Sequence, residues 1–453
     1  MTTPSAQRDG FTTTLGVITA TLGSAVGLGN IWKFPALTGE SGGAAFVAVY
    51  LLSTLLVGLP AMISELMLGR RAKANAITTL RTLAPKRQPW WLVGAMGVLA
   101  AFLIMAFYTE VAGWVFAYIV EAIRGSILST DPAATSEAFS GLISNPLQSL
   151  VWQWIVLAWV SAIIMLGVSK GIERTTKRLM PILFILLIAV AVRGLTLPGA
   201  AEGVTFLFRP DFSKVTWLTV LTAVGLSFFK LSTGMGTMIT YGSYFRDDQN
   251  IPATATRVML GDLGVSLLAG LAIFPAVFAF GFEPTAGPSL LFITIPAVFA
   301  SMPLGGVFLV LFFILAAVAA TGAMLSLIEV PVAFVNESWG VPRRTATVGT
   351  AFLLAAIGST AALSSSTLAE VTVFGKTFFD LYDFTTQNIL LPLGGLFITL
   401  FVGWVWGPRN IEQALSNQGA ERNGIVIKAY TLIVKFVTPL LLAIVLLNGL
   451  GIL

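Results

Sequence analysis

The chain has 453 residues, 56% of them hydrophobic and 10% charged, with a mean hydropathy of +0.89 and a formal net charge of +5. Soluble proteins carry about 25% charged residues, so this composition places the chain in a bilayer. It contains no Cys and no His, which removes thiol chemistry, a His-based triad and the usual zinc and haem ligand sets. The basic residues are spread over loops, which argues against nucleic acid as a partner.

A span needs about 20 apolar residues. Eleven such stretches run in chain order near 12–37, 43–68, 90–123, 149–168, 175–196, 216–245, 254–281, 303–335, 344–363, 378–406 and 425–451. The first is too long, and too polar in its middle, for a cleavable leader. Residues 23–35, Gly-Ser-Ala-Val-Gly-Leu-Gly-Asn-Ile-Trp-Lys-Phe-Pro, put helix-weakening glycines and a proline at membrane depth together with Asn30 and Lys33. Irregular backbone is tolerated there only when it is buried in protein or lines a cavity, so the segment reads as a binding site.

Between spans, Arg8, the 70–87 cluster, the 170–178 cluster, Arg246, Arg257, Arg343, Arg344, Arg409, Arg422 and Lys428 fall on one side, and far fewer basic residues on the other. This asymmetry predicts a multi-pass protein of the cell (inner) membrane with a cytoplasmic N-terminus. An odd number of spans puts the C-terminus outside. A second interruption lies at 216–245, where Phe228-Phe229-Lys230-Leu231-Ser232-Thr233-Gly234-Met235-Gly236 brings a Lys, hydroxyls and glycines into the apolar stretch. Breaks in the first and sixth spans are the pattern of transporters built from two inverted five-span halves with discontinuous helices at the midplane.

These motifs, with Glu40-Ser41-Gly42-Gly43, Gly69-Arg70, ITYGSYFRDDQNI at 239–251 and SLIEVPVAF at 326–334, resemble the neurotransmitter:sodium symporter family along essentially the whole chain. The resemblance implies an all-α polytopic protein of the leucine-transporter type, a 5+5 inverted repeat with broken spans 1 and 6 and eleven transmembrane helices. It forms one domain over 1–453, with halves at 1–200 and 201–410 and an additional span at 411–453. Gly171 and Pro181 reproduce the family's Gly-x9-Pro spacing in span 5, associated there with unwinding.

The family's substrate roles carry over to this sequence as follows. The Tyr108 hydroxyl and the Gly29 amide at a half-helix N-terminus would hold a carboxylate. Carbonyls of Ala25, Phe229 and Ser232 would hold an ammonium. Val26, Ile104, Tyr108, Phe229, Ser232, Met235, Ala323 and Leu327 would line a mostly apolar pocket. Lys33 and Asp383 stand at the outer gate with Phe229 as lid, and Arg8 and Glu337 stand at the inner gate, with Phe11 where a Trp is usual.

The ion sites depart from the family pattern. At the first, beside Asn30 and the Ala25 carbonyl, the expected Thr and Asn are Lys230 and Asp262. At the second, Gly23, Val26 and Ala319 offer carbonyls, but Gly322 and Ala323 replace two hydroxyl residues, with Thr321 nearby as a possible substitute. Two unit charges ~4 Å apart at an effective dielectric near 20 repel by about 4 kcal/mol, so sodium and the Lys230 ammonium should not share the first site. The expectation is that Lys230, held by Asp262 and close to the substrate carboxylate, takes the ion's place. Compared with sodium, Asn and carboxylate, the trio of Lys230, Asp262 and carboxylate lacks one positive charge, which proton uptake at Asp262 would restore. Of the remaining intramembrane acids, Glu65 and Glu329 are expected to brace unwound backbone, and Glu110 is either a relay or a hydrogen-bonded structural acid.

The sequence thus predicts a secondary transporter, not an enzyme, moving a small amino acid with an apolar side chain by alternating access. No cofactor or resident metal is expected, sodium stays open, and proton coupling is a candidate. The expected partners are the amino acid and the lipid bilayer, with no nucleic acid and no obligate protein partner. The alternatives are a sodium symporter using a weakened second site, an exchanger, and a sensor that binds amino acid without moving it.

Overall fold

The computed structural model describes residues 9–281, 290–420 and 424–453, and among these it is helical, with a single isolated bridge between Val373 and Lys376. Among the described residues nine helices are long and apolar enough to cross a membrane: Ala44–Ala72, Trp91–Arg124, Pro146–Met165, Val168–Leu195, Ile251–Ala279, Gly305–Trp339, Arg343–Ala362, Phe378–Trp406 and Gly424–Gly449. A tenth crossing is the pair Thr14–Ala25 and Gly29–Glu40, bent by 55° at its break. The stretch predicted at 216–245 is divided into Trp217–Lys230 and Thr237–Ser243. Neither piece spans a bilayer alone, since a helix rises about 1.5 Å per residue.

Local chemistry explains both interruptions. The first half-helix begins at Thr13, whose hydroxyl accepts the Gly16 N–H, and ends where Val26 turns extended at φ −82°, ψ 108°. A side chain on Gly27 would begin 2.9 Å from the Tyr108 hydroxyl and 3.0 Å from the Ala323 Cβ, so it would crowd both and force them to shift. In the second interruption Ser232, Gly234 and Gly236 all lie at positive φ, at 53°, 80° and 72°. For a residue other than glycine such a conformation is uncommon and strained. Ser232 is held there from both sides: its hydroxyl donates to the Ser24 carbonyl at 2.8 Å, and its own carbonyl accepts from the Thr237 hydroxyl. The two breaks are thereby tied together, and a carbonyl left over at the end of Thr14–Ala25 is satisfied.

Around them, Gly305–Trp339 packs along Trp91–Arg124, and Thr237–Ser243 against Leu59–Ala72. Short helices absent from the sequence reading pack onto the long ones: Ala200–Phe208 against Ile251–Ala279, Pro132–Ile143 against Pro146–Met165 and Leu290–Thr294, and Ile295–Ala300 against Gly305–Trp339. The fifth span begins earlier than the predicted 175: a π-helical turn at Val168–Glu173 carries Gly171 and runs into Arg174–Leu195, which contains Pro181. The segment between Gly171 and Pro181 is helical throughout, so the unwinding associated with that spacing is not seen in this conformation.

Close backbone approach sets the spacing of the half-helix Thr237–Ser243. A Cβ on Gly242 would stand 2.6 Å from the Leu66 carbonyl oxygen. Gly242→Val should therefore lower stability by about 1–3 kcal/mol through overpacking, measured as a lower thermal midpoint of the detergent-solubilised protein.

Candidate functional site

A cavity of about 40 Å3 sits where the two interruptions meet, walled by Ser24, Ala25, Gly27, Gly29, Ile104, Tyr108, Phe229, Lys230, Ser232, Met235, Ala323 and Leu327. Of the residues assigned to the pocket from the sequence, the wall omits Val26, which is fully buried beside it. Tyr108 comes from the middle of Trp91–Arg124, and its hydroxyl accepts the Leu28 N–H at 2.9 Å. That leaves the phenolic proton free to point into the cavity. On the opposite side, the Phe229 carbonyl accepts the Ser232 N–H at 3.0 Å, and the Ser232 carbonyl accepts the Thr237 hydroxyl. Each carbonyl has a second lone pair, so both keep acceptor capacity for a ligand cation.

Lys230 contributes to this wall in an unexpected way. A Cβ on Gly29 would lie 3.7 Å from Lys230 Cγ, so the stem of Lys230 lines the cavity. The ammonium turns away from it. Nζ donates to the Tyr50 hydroxyl at 3.0 Å and to the Ser266 hydroxyl, and pairs with Asp262 Oδ2 at 3.0 Å. The rings of Phe34 and Tyr50 lie 4.9 and 4.8 Å from it. All three of its donors are thus committed, which corrects the expectation that the ammonium itself stands against a substrate carboxylate.

Asp262 is the centre of this cluster. Its Oδ1 lies 2.7 Å from Asn30 Nδ2, which is also 3.1 Å from the Asp262 carbonyl and from Ser266 Oγ, while Asn30 Oδ1 accepts the Gly27 N–H at 3.2 Å. Asn30 therefore braces the first break against Ile251–Ala279. Sequence reasoning missed Tyr50 and Ser266. Ser266 carried a signal, being a polar residue one helical turn beyond Asp262; Tyr50 carried none.

At the second ion position Gly322 packs directly on the first half-helix: a Cβ there would be 2.6 Å from the Gly23 carbonyl oxygen. Ala319 and Ala323 lie on the same helix, and the neighbouring hydroxyls are already paired. Thr321 Oγ1 donates to the Ala317 carbonyl at 2.8 Å, and Ser326 Oγ is 2.8 Å from both the Ser24 hydroxyl and the Ala323 carbonyl. Thr321 is thus engaged within its own helix rather than turned toward Gly23.

Above the cavity lies a vestibule of about 310 Å3, which shares Gly29, Tyr108 and Phe229 with it and is bordered by Lys33, Glu40, Phe107, Phe379, Asp383 and Gln387. Lys33 and Asp383 are joined through Gln387, whose Oε1 accepts from Lys33 and whose Nε2 donates to Asp383 Oδ1. The Lys33 ammonium also lies 4.8 Å from the centre of the Phe229 ring, the expected lid. The direct outer ion pair read from the sequence is replaced by this bridge, because Gln387 lies one turn beyond Asp383 on the same helical stretch.

At the other end the chain is closed. Phe11 is buried edge-on against Tyr241 and Tyr244 and tilted against Phe245, with centroids 5.6, 6.0 and 6.3 Å away. Asp9 accepts the Val168 and Ser169 amides at 2.6 and 3.3 Å. Glu337 accepts the backbone and side-chain N–H groups of Asn75, at 2.7 and 3.1 Å. Arg8, its expected partner, lies outside the described residues.

The remaining acids divide. Glu65 accepts the Gly234 N–H at 2.5 Å and so supports unwound backbone. Glu329 does not: it takes a forked pair from Arg343 at 2.9 and 2.5 Å and the Tyr244 hydroxyl at 2.6 Å. The expectation that it braces amides is corrected, since the guanidinium brought in by Arg343–Ala362 is the stronger partner. Glu110 is 1% exposed, and its Oε2 has no hydrogen-bond partner among the described residues.

A helical bundle whose first crossing bends at a small, polar-edged cavity, open to a vestibule on one side and packed shut on the other, has the form of a membrane transporter. Residues 8–132 and 140–451 match the sequence model of the sodium:neurotransmitter symporter family, and the chain belongs to that family. It is 40% identical over 439 residues to the uncharacterized sodium-dependent transporter YhdH of Bacillus subtilis (strain 168), covering 97% of each chain. It is 35% identical over 460 residues to an uncharacterized sodium-dependent transporter of Haemophilus influenzae, covering 99% of this chain and all of the relative. Among solved structures, MhsT in complex with L-phenylalanine aligns with a TM-score of 0.88 at 41% identity, over 98% of this chain and 100% of that one. The family consists of transporters, not enzymes.

The buried pair makes a measurable demand. Lys230→Met alone strands the Asp262 carboxylate and should cost about 3–5 kcal/mol of stability, whereas Lys230→Met with Asp262→Leu should recover most of it. Thermal unfolding of the three proteins in one detergent checks this, and a double variant no better than the single contradicts it.

Proposed function

We propose that the protein moves a small amino acid with an apolar side chain across the cell (inner) membrane by alternating access, with the N-terminus cytoplasmic and the C-terminus outside. The observation that carries this reading is the cavity between the two breaks. It offers the Tyr108 hydroxyl and the start of Gly29–Glu40 to a carboxylate, the Phe229 and Ser232 carbonyls to an ammonium, and apolar Ile104, Met235, Ala323 and Leu327 to a side chain. The binding of L-phenylalanine by MhsT supports the substrate class. Substrate would enter past Phe229, and release to the cytoplasm would require Phe11 to leave its aromatic cage.

Sodium has a reduced role on this reading. Lys230 serves as the fixed cation of the first ion site, and the second site offers carbonyls without side-chain oxygens, with Gly322 pressed on Gly23. Oxygen number governs the affinity of hard cations. The charge count favours one further element, proton uptake at Asp262 on substrate binding, because the Lys230 charge is already balanced by Asp262 when the carboxylate arrives.

Counterflow of radiolabelled amino acids in proteoliposomes tests the proposal. Exchange of an apolar amino acid should persist when choline replaces sodium, and Lys230→Thr with Asp262→Asn should make it sodium-dependent. Wild-type counterflow that vanishes without sodium would sink the ion reading, and binding without counterflow would favour a sensor. Uptake that ignores an imposed pH gradient would exclude proton coupling. Tyr108→Phe should weaken substrate binding by about 1.5–3 kcal/mol, roughly ten- to a hundredfold in Kd, as expected for losing a hydrogen bond to a charged group.

A further inference from the structure

At the end of the bundle that carries Phe11, a cavity of about 430 Å3 opens between the last turn of Leu59–Ala72, the turn after Thr237–Ser243, and the segment from Trp406 to Gln418. It belongs to neither the substrate cavity nor the gates. Arg70, Arg71 and Lys73 face it, with Asp247 as the carboxylate in its wall.

The three cations are in different situations. Arg70 is 9% exposed and acts as a brace: its guanidinium donates to the Gln249 and Ala414 carbonyls, both at 2.5 Å, and to Asn417 Oδ1 at 2.7 Å. Lys73, in the left-handed region at φ 52°, donates to the Phe245 carbonyl and pairs with Asp247 at 3.0 Å. Arg71 is exposed and has no hydrogen bond or ion pair among the described residues. Positive charge thus exceeds negative charge within a recess, with one planar guanidinium fork uncommitted.

Basic residues at a helix C-terminus complement its dipole without any ligand. That explanation suffices for the helix end but not for the concavity. The opposite wall is fixed by Arg70 through Ala414 and Asn417, and the chain there holds Asn417 and Gln418 at φ 47° and 60°. Trp406, whose ring type favours the level of lipid headgroups, closes the side of the recess. Basic pockets between membrane helices are suited to acidic headgroups, and an arginine fork matches phosphate oxygens in pairs.

We infer that the cavity walled by Arg71, Lys73, Arg70 and Trp406 binds the phosphate of an anionic ligand, supplied by a phospholipid headgroup or by a free phosphate. Arg71 makes the forked contact, Lys73 adds a point charge, and Arg70 is a positioning residue that shapes the wall.

Thermal unfolding of the purified full-length chain in detergent tests this, with added phosphatidylglycerol, phosphatidylcholine or inorganic phosphate as probes. Phosphatidylglycerol should raise the midpoint and phosphatidylcholine should not. Arg71→Gln should weaken the phosphatidylglycerol response about tenfold in concentration, Arg71→Gln with Lys73→Gln should abolish it, and Arg71→Lys should restore only part. A full response to inorganic phosphate, with the same dependence on Arg71, would support the site and identify free phosphate as its source. A wild-type response shared unchanged by the Arg71 variants, or no wild-type response to either anion, overturns the inference.

Discussion

An interrupted helix inside a bilayer strands amides and carbonyls where no water can reach them, and much of this structure is arranged to meet that constraint. Asn30 returns to the Gly27 amide, Tyr108 takes the Leu28 amide, Ser232 reaches across to the Ser24 carbonyl and Glu65 takes the Gly234 amide. Each of these partners belongs to a different segment. The breaks are therefore stable only when spans 1, 2, 3 and 6 are assembled, and the acceptors left with a spare lone pair become the walls of the cavity. Binding capacity arises here as the residue of incomplete satisfaction.

The same constraint governs charge. A lone ammonium at the depth of Lys230 would be costly, and its enclosure by Asp262, Tyr50, Ser266 and two ring faces is correspondingly complete. Completeness has a functional side: a cation so fully engaged acts on the cavity through its stem and through the rigidity it gives Asp262 and Asn30. Lys230 thereby couples the second break, Ile251–Ala279 and the first break into one body.

Much of this was legible in the sequence. Glycines, Asn30 and Pro35 marked the first break, and Lys230 with the glycines after it marked the second, because residues that oppose helix at membrane depth need a reason to be there. The family resemblance then named most of the cavity wall. What it missed depended on three-dimensional rotation and reach. Val26 lies next to Ala25 yet turns out of the cavity as the chain becomes extended. Gln387 intervenes between Lys33 and Asp383 because it lies one turn along a helix whose rotation no motif specified. Glu329 finds Arg343 from the following helix, a partner that depends on how the two helices pack rather than on either one's pattern. The recess beside Arg71 is formed by segments more than three hundred residues apart and left only a charge cluster to read.

Because Lys230 is covalently part of Trp217–Lys230, its charge cannot be released on either side of the membrane, and in this conformation Asp262, from Ile251–Ala279, neutralises it. A zwitterion that crosses with the pair intact takes no net charge with it, whereas one that crosses with a proton on Asp262 carries one elementary charge. The membrane potential is worth about 2.3 kcal/mol per elementary charge per 100 mV, so it acts on the second route and has nothing to act on in the first.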